Sequence, residues 1–247
     1  MPQHNRVAIV TGATRGIGRA VFERYAEAGA AVVGVYSKRA DLAERMEADM
    51  ASKSMKGRLY RGAVDDADFV RSLMRDVREQ YGRIDILVNN AGIARDNLAM
   101  MMTAEEWDAV MQTNLMGTLL CAAEAIPYMR RQGGGAIVNV VSVSGIHGRE
   151  AQANYSAAKG AVIGLTKLLA RRHAQEGIRI HAIAPGMVDT EMTERVPAGK
   201  MDNFLHHTHL KRQAKACEIA ETIVALASGG HGYLSGQVLK VDGGFLR

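Results

Sequence analysis

Aromatic residues are scarce in this chain of 247 residues: one Trp, seven Tyr and four Phe, 5% in all. All-β sandwiches lean on aromatic cross-strand pairs, so the scarcity speaks against them. Only two cysteines occur, Cys121 and Cys217, far apart and both within helix-like patterns. That excludes a disulfide scaffold and suits a reduced, cytoplasmic protein. No apolar run is long enough to cross a bilayer, and the first five residues lead straight into a strand-like run. A membrane partner and a signal peptide are therefore not expected. The net charge of +5 is spread along the chain, with no basic stripe interleaved with aromatics. Nucleic acid is thus not the expected partner, whereas an anionic cofactor or an acidic protein suits such a surface. Repeats, low-complexity tracts and linkers are missing as well, which predicts a single domain over residues 1–247.

What the chain does have is 47% hydrophobic residues and 26 glycines, arranged in a regular alternation. Short apolar runs at 6–10, 31–36, 58–64, 84–88, 136–141, 178–184 and 237–241 predict strands. Most are almost continuously apolar, as parallel strands covered on both faces are. Between them lie helical patterns at 17–28, 41–50, 66–81, 104–131, 152–175 and 216–227. Right-handed βαβ crossovers then give an α/β fold, a doubly wound Rossmann-type domain with a seven-stranded parallel sheet and helices on both faces. Only residues 188–215 break the rhythm. An insertion after a strand's carboxyl end is where a substrate lid would lie; a plain surface loop is the alternative.

The first strand runs into Thr11-Gly12-Ala13-Thr14-Arg15-Gly16-Ile17-Gly18 and then a helix. Gly12 permits a sharp turn, Gly16 lets backbone N–H groups approach a pyrophosphate, and Gly18 lets helix and strand pack closely. The second strand ends Tyr36-Ser37-Lys38-Arg39, with no acid before Asp41. An NAD site usually places an acid there for the ribose hydroxyls. Arg15 with Lys38 or Arg39 offers instead a cationic pocket for a 2′-phosphate, so NADP(H) is the expected cofactor; solvated charges opening a helix are the alternative.

The G-x-x-x-G-x-G spacing resembles that of the short-chain dehydrogenase/reductase family, and the likeness covers essentially the whole chain. Asn89-Asn90-Ala91-Gly92 is similar to the family's Asn-Asn-Ala-Gly turn, which implies that Asn90, Ala91 and Gly92, with Val64, line the adenosine side of the cofactor. Ala63 stands where relatives carry Asp or Asn against the adenine. That hydrogen bond is lost, water-mediated or supplied by Asp65, and Asp66 follows. Pro185-Gly186-Met187-Val188-Asp189-Thr190 resembles the turn flanking the nicotinamide, with Pro185, Gly186, Val188 and Thr190 as contacts.

The most specific pattern is Tyr155-Ser156-Ala157-Ala158-Lys159, with Ser142 thirteen residues before the tyrosine and Asn114 further back. A Tyr and a Lys four apart share a helix face, so an ammonium there is expected to lower the phenol pKa toward neutral. The resemblance implies that Tyr155 exchanges a proton with the substrate oxygen and that Ser142 bonds the same oxygen. It further implies that Lys159 tunes Tyr155 and holds the nicotinamide ribose, and that Asn114 anchors a proton-relaying water. Ser144 competes with Ser142, but the family's interval to the tyrosine favours Ser142. Singly, each residue has a structural reading; together, in this order, they point to hydride transfer at a carbonyl or hydroxyl carbon.

Within the family the chain is most similar to reductases of 3-oxoacyl thioesters, which implies an acyl thioester substrate, an acidic acyl carrier protein as partner and a homotetramer. Arg130, Arg131, Arg171 and Arg172 are candidates for steering that carrier; solvated helix ends are the alternative. A secondary-alcohol, sugar or steroid dehydrogenase and a non-catalytic NADP(H) sensor are the other readings. His206-His207-Thr208-His209 has no helpful ligand at metal spacing, so no metal is expected. Met100-Met101-Met102 suits either an acyl pocket or core filling.

Overall fold

Where each strand ends decides where ligands can bind. The computed structural model describes residues 3–53, 55–194 and 196–246. Among these, β1 (Val7–Thr11), β2 (Ala31–Tyr36), β3 (Gly57–Arg61), β4 (Ile86–Asn89), β5 (Gly135–Val140), β6 (Ile178–Pro185) and β7 (Val238–Val241) form one sheet. Its order is β3-β2-β1-β4-β5-β6-β7, and every pairing is parallel. The chain winds outward from β1 to β3 and then returns to place β4 on the other side of β1. The crevice between the carboxyl ends of β1 and β4 is therefore the topological switch point.

All seven expected strands occur, with ends moved by at most three residues. The largest shift is at β3, which stops at Arg61 because Gly62, Ala63 and Val64 turn into the crevice. Helix α2 (Ala40–Ser52) joins β2 to β3, and Asp66 caps α3 (Ala67–Tyr81), its carboxylate accepting from the N–H groups of Asp68 (3.0 Å) and Phe69 (3.1 Å). Gly82, at φ 77°, ends that helix in the left-handed conformation that glycine adopts without strain.

Side-chain alternation along the strands builds two cores. Ala8, Val10, Ile86 and Val88 face Val21, Phe22 and Tyr25 of α1 (Gly16–Glu27) and Ile219 and Ile223 of the helix Ala216–Ala227. Val7, Ile9 and Leu87 face the opposite way, onto Val70, Leu73, Met74 and Val77 of α3. Each such large side chain contributes about 1.5–3 kcal/mol by leaving water. The buried i, i+3, i+4, i+7 stripe of α3 explains why that helix lies where it does.

One helical expectation needs correction. The pattern at 104–131 is divided into α4 (Ala104–Met111), a π turn at Gln112–Met116 and α5 (Gly117–Arg131). A π turn inserts one residue without disturbing the periodicity on either side, so the pattern reads as continuous. A short α6 (Ser144–His147) precedes α7 (Ala153–His173), and residues 174–176 continue α7 as 3₁₀ helix. The segment 188–215 is no bare loop: it contains α8 (Ala198–His206), ahead of α9 (Ala216–Ala227).

Candidate active site

Two turns at the switch point are laced into one unit. The Thr11 hydroxyl accepts from the N–H groups of Asn90 and Ala91, both at 3.0 Å, and donates to the Val88 carbonyl at 3.3 Å. The Asn90 carboxamide donates in return to the carbonyls of Thr11 (3.0 Å) and Gly12 (3.2 Å). Gly12 and Gly16 have φ of 66° and 52°, which a side chain resists. A Cβ on Gly18 would fall on the Gly12 carbonyl oxygen, so this glycine serves packing behind the turn. Arg15 precedes α1 without capping it, and the first turn of that helix holds no acid. Its N–H groups remain open to an anion, with the helix dipole behind them.

Following β5, Val141 and Ser142 enter the same crevice, and α7 brings Tyr155 and Lys159 to it. The Lys159 ammonium lies 5.7 Å from the centre of the Tyr155 ring and donates to the Val140 carbonyl at 2.8 Å. Asn114 sits in the π turn, fully buried; its Oδ1 accepts from Ile93 N–H (2.8 Å) and its Nδ2 donates to Ile93 O (2.9 Å). Both ends of the carboxamide are thus committed to Ile93, just past Gly92. Ser144 is buried, its hydroxyl bonded to Gln152 Oε1 at 3.2 Å, while its N–H donates to Ser142 Oγ at 3.1 Å. Ser142, not Ser144, faces the cleft.

The cleft encloses about 570 Å³ and reaches from Lys38 to Tyr155. Thr14, Arg15, Gly16 and Ile17 line it, as do Ser37, Lys38, Arg39 and Val64. Pro185, Gly186, Val188 and Thr190 line it too, along with Asn90, Ala91 and Gly92 beside the glycine turn. Of the residues expected at the site, only Gly18 and Asn114 stay behind its wall.

Residues 12–246 match the family model described as Enoyl-(Acyl carrier protein) reductase. The chain is 41% identical over 240 residues to a 3-oxoacyl-[acyl-carrier-protein] reductase of Staphylococcus epidermidis, covering 97% of this chain and 98% of the relative. It is 42% identical over 237 residues to the Staphylococcus aureus protein of that name, covering 96% of each. With the Thermotoga maritima protein it shares 40% over 248 residues and the full length of both. The chain belongs to the short-chain dehydrogenase/reductase family. As a family member it is an oxidoreductase acting on CH–OH and C=O groups with a nicotinamide cofactor. The open N–H groups of α1 and the glycine backbone of Gly12 and Gly16, which lines the cleft, fit the pyrophosphate of such a cofactor.

The electrostatics differ from what the Tyr-x-x-x-Lys spacing predicts. Burial pushes the Tyr155 phenol up to about 12, with the Asp96 carboxylate adding to the rise; the Ser142 hydroxyl and Arg149 act the other way. Burial likewise pushes Lys159 down to about 8. Spacing on a helix shows that two groups are close, but desolvation is set by the surrounding walls.

Several site residues carry no signal in the sequence. Gln152 links Ser144 to Asp96, donating to its carboxylate at 2.9 Å. Arg95 lines the cleft, and the Thr193 hydroxyl holds the turn after Val188, donating to the carbonyls of Val188 (2.6 Å) and Thr190 (2.8 Å). Glu191 pairs with Arg15 at 2.8 Å and lies 3.6 Å from Arg39. After β3, Asp66 is used as the α3 cap, leaving Asp65 as the acid that lines the cleft beside Ala63.

The 188–215 segment is tied at both ends. Asp189 N–H bonds Ala214 O, and Ala214 N–H bonds Met187 O, each at 2.9 Å. Phe204 stacks on Phe245 at 4.3 Å, and Leu246 N–H donates to His207 O at 2.9 Å. His206 and His207 meet edge to face, and no group of three metal-ligating side chains occurs among the described residues. Met100 and Met101 are exposed and line neither cleft nor core. Arg130 and Arg131 end α5, and Arg171 and Arg172 end α7. Those helices lead into the amino ends of β5 and β6, so both pairs lie at the sheet edge away from the cleft. Among the described residues no helix is long and apolar enough to cross a membrane.

Proposed function

We propose that the chain reduces the keto group of a 3-oxoacyl thioester, on an acyl carrier protein or on coenzyme A, to the 3-hydroxyacyl thioester with NADPH. What carries this reading is one cleft lined both by Arg15, Lys38 and Arg39 and by Ser142, Tyr155 and Lys159. The nicotinamide supplies the hydride when bound. Tyr155, neutral across the physiological range because burial holds its pKa near 12, gives its phenolic proton to the carbonyl oxygen. The C=O π pair becomes the new O–H bond, and the phenolate left behind faces the Lys159 ammonium. Ser142 donates to the same oxygen and steadies the charge that builds there. Asn114 fixes Ile93 and so the floor under Gly92 and Lys159, and water at this π turn returns protons to the lysine. Arg15, Lys38 and Arg39 receive the 2′-phosphate, and Asp65 faces the adenine. Residues 188–215 act as the substrate lid of one domain spanning 1–247, in a cytoplasmic homotetramer.

The description of the family model favours a second reading, reduction of an enoyl thioester. One assay separates them: NADPH and NADH oxidation on acetoacetyl-CoA, on a longer 3-oxoacyl carrier thioester and on the matching 2-enoyl thioesters. We expect turnover of the 3-oxo substrates with NADPH, lost by about 10²–10⁴-fold in Tyr155→Phe with cofactor binding retained. Turnover of the enoyl thioesters alone would replace the reading. Activity only on simple alcohols or sugars, or binding without turnover, would send it to a dehydrogenase or a sensor.

A further inference from the structure

At the end of the cleft assigned to the 2′-phosphate, two guanidinium groups converge on one oxygen atom. Glu191 Oε2 lies 2.8 Å from Arg15 Nη1 and 3.6 Å from Arg39 Nη1. The remaining edge of Arg39 is held by Asp41 through two bonds, Nε to Oδ1 at 2.9 Å and Nη2 to Oδ2 at 2.8 Å. Arg39 thus has one free direction, and it points at the same place as Arg15. An intramolecular carboxylate occupies the spot where two cations of different elements meet, one from the glycine turn and one from the end of β2.

We infer that Glu191 is a specificity-determining residue that competes with the cofactor's 2′-phosphate for Arg15 and Arg39. This rests on the NADP(H) reading given above. A phosphate carries more charge and more acceptor oxygens than a carboxylate, so it wins the two guanidinium groups. Exposure makes the exchange cheap: the side chains of Arg15, Arg39 and Glu191 are 47%, 46% and 41% exposed. NADPH binding must nevertheless displace a charge pair that NADH leaves untouched. Glu191 therefore lowers the preference for NADPH below what three nearby cations would otherwise produce, and it keeps the empty pocket from holding other anions.

The test is cofactor titration of the whole protein, wild type against Glu191→Gln, with NADPH, NADH, 2′,5′-ADP and 5′-AMP. Removing the competitor should tighten NADPH and 2′,5′-ADP about two- to tenfold, the range that loss of exposed ion pairs allows, and leave NADH and 5′-AMP unchanged. Glu191→Asp should stay near wild type or fall between the two. Equal shifts for all four ligands would mark a merely structural residue, and no shift would mean no competition; either overturns the inference alone. A wild type that binds NADH as well as NADPH would overturn the NADP(H) reading and this inference with it.

Discussion

Lys159 carries the largest electrostatic cost visible at any single site residue. Its pKa falls from 10.5 in water to about 8 because the folded protein strips its ammonium of solvent. Below pH 8 the lysine is charged in both folded and unfolded chains, so the folded state bears the full penalty. Between 8 and 10.5 the folded lysine is neutral while the unfolded one still binds a proton, and the penalty fades. In Lys159→Met, stability should therefore gain on the wild type at neutral pH, offset by about 1 kcal/mol for the lost bond to the Val140 carbonyl. That relative gain should shrink by up to about 3 kcal/mol as pH rises from 8 to 10.5. Urea melts of both proteins at pH 7, 9 and 10.5 check this, and a constant difference would refute it. At this scale the sequence is legible in part. Ser142, Tyr155 and Lys159 are readable because their types and intervals match the family's pattern. The pairing of Arg15 with Glu191 is not, since 176 residues separate them and no local pattern couples the two.

Among the elements, the first βα turn is the one whose geometry leaves least room. Gly12 and Gly16 need their positive φ, whereas Gly18 is excluded from bearing a side chain by contact alone, its Cβ position falling on the Gly12 carbonyl and close to the Asn90 carboxamide. Gly18→Ala should thus destabilise the fold by about 1–3 kcal/mol through overpacking and weaken cofactor binding as the turn shifts. Denaturant midpoints and a cofactor titration read both effects, and an unchanged midpoint would show that the helix simply slides away. Elements whose buried face has a plain period, such as α3 and the strands, are readable from sequence. The π turn at Gln112–Met116 is not, because one inserted residue alters hydrogen bonding without breaking the apolar stripe. Nor is α8, where no buried residue marks a face.

For the molecule as a whole, the parallel sheet puts all the chemistry on one edge. Basic residues divide accordingly: Arg95 lines the cleft, while Arg130, Arg131, Arg171 and Arg172 neutralise the carboxyl ends of two helices on the far edge. On the proposed reading, an acidic carrier approaching the cleft meets Arg95 within a Debye length of about 8–10 Å and the far pairs only through screened field. Arg95→Ala should consequently raise the KM for a carrier thioester more than Arg171→Ala does, and added salt should narrow the gap; stopped-flow NADPH oxidation at two ionic strengths checks it. The sheet order is legible because strands covered on both faces must be apolar throughout, but the edge on which a surface arginine ends up depends on the finished winding. The same polarity governs how the protein can be handled. Its first strand starts on the silent edge, whereas Phe245 and Leu246 are fastened to Phe204 and His207 of the 188–215 segment, whose first residues line the cleft. A bead, dye or purification handle joined ahead of β1 leaves the cleft edge clear, while the same cargo behind Leu246 pulls on that segment with every tug.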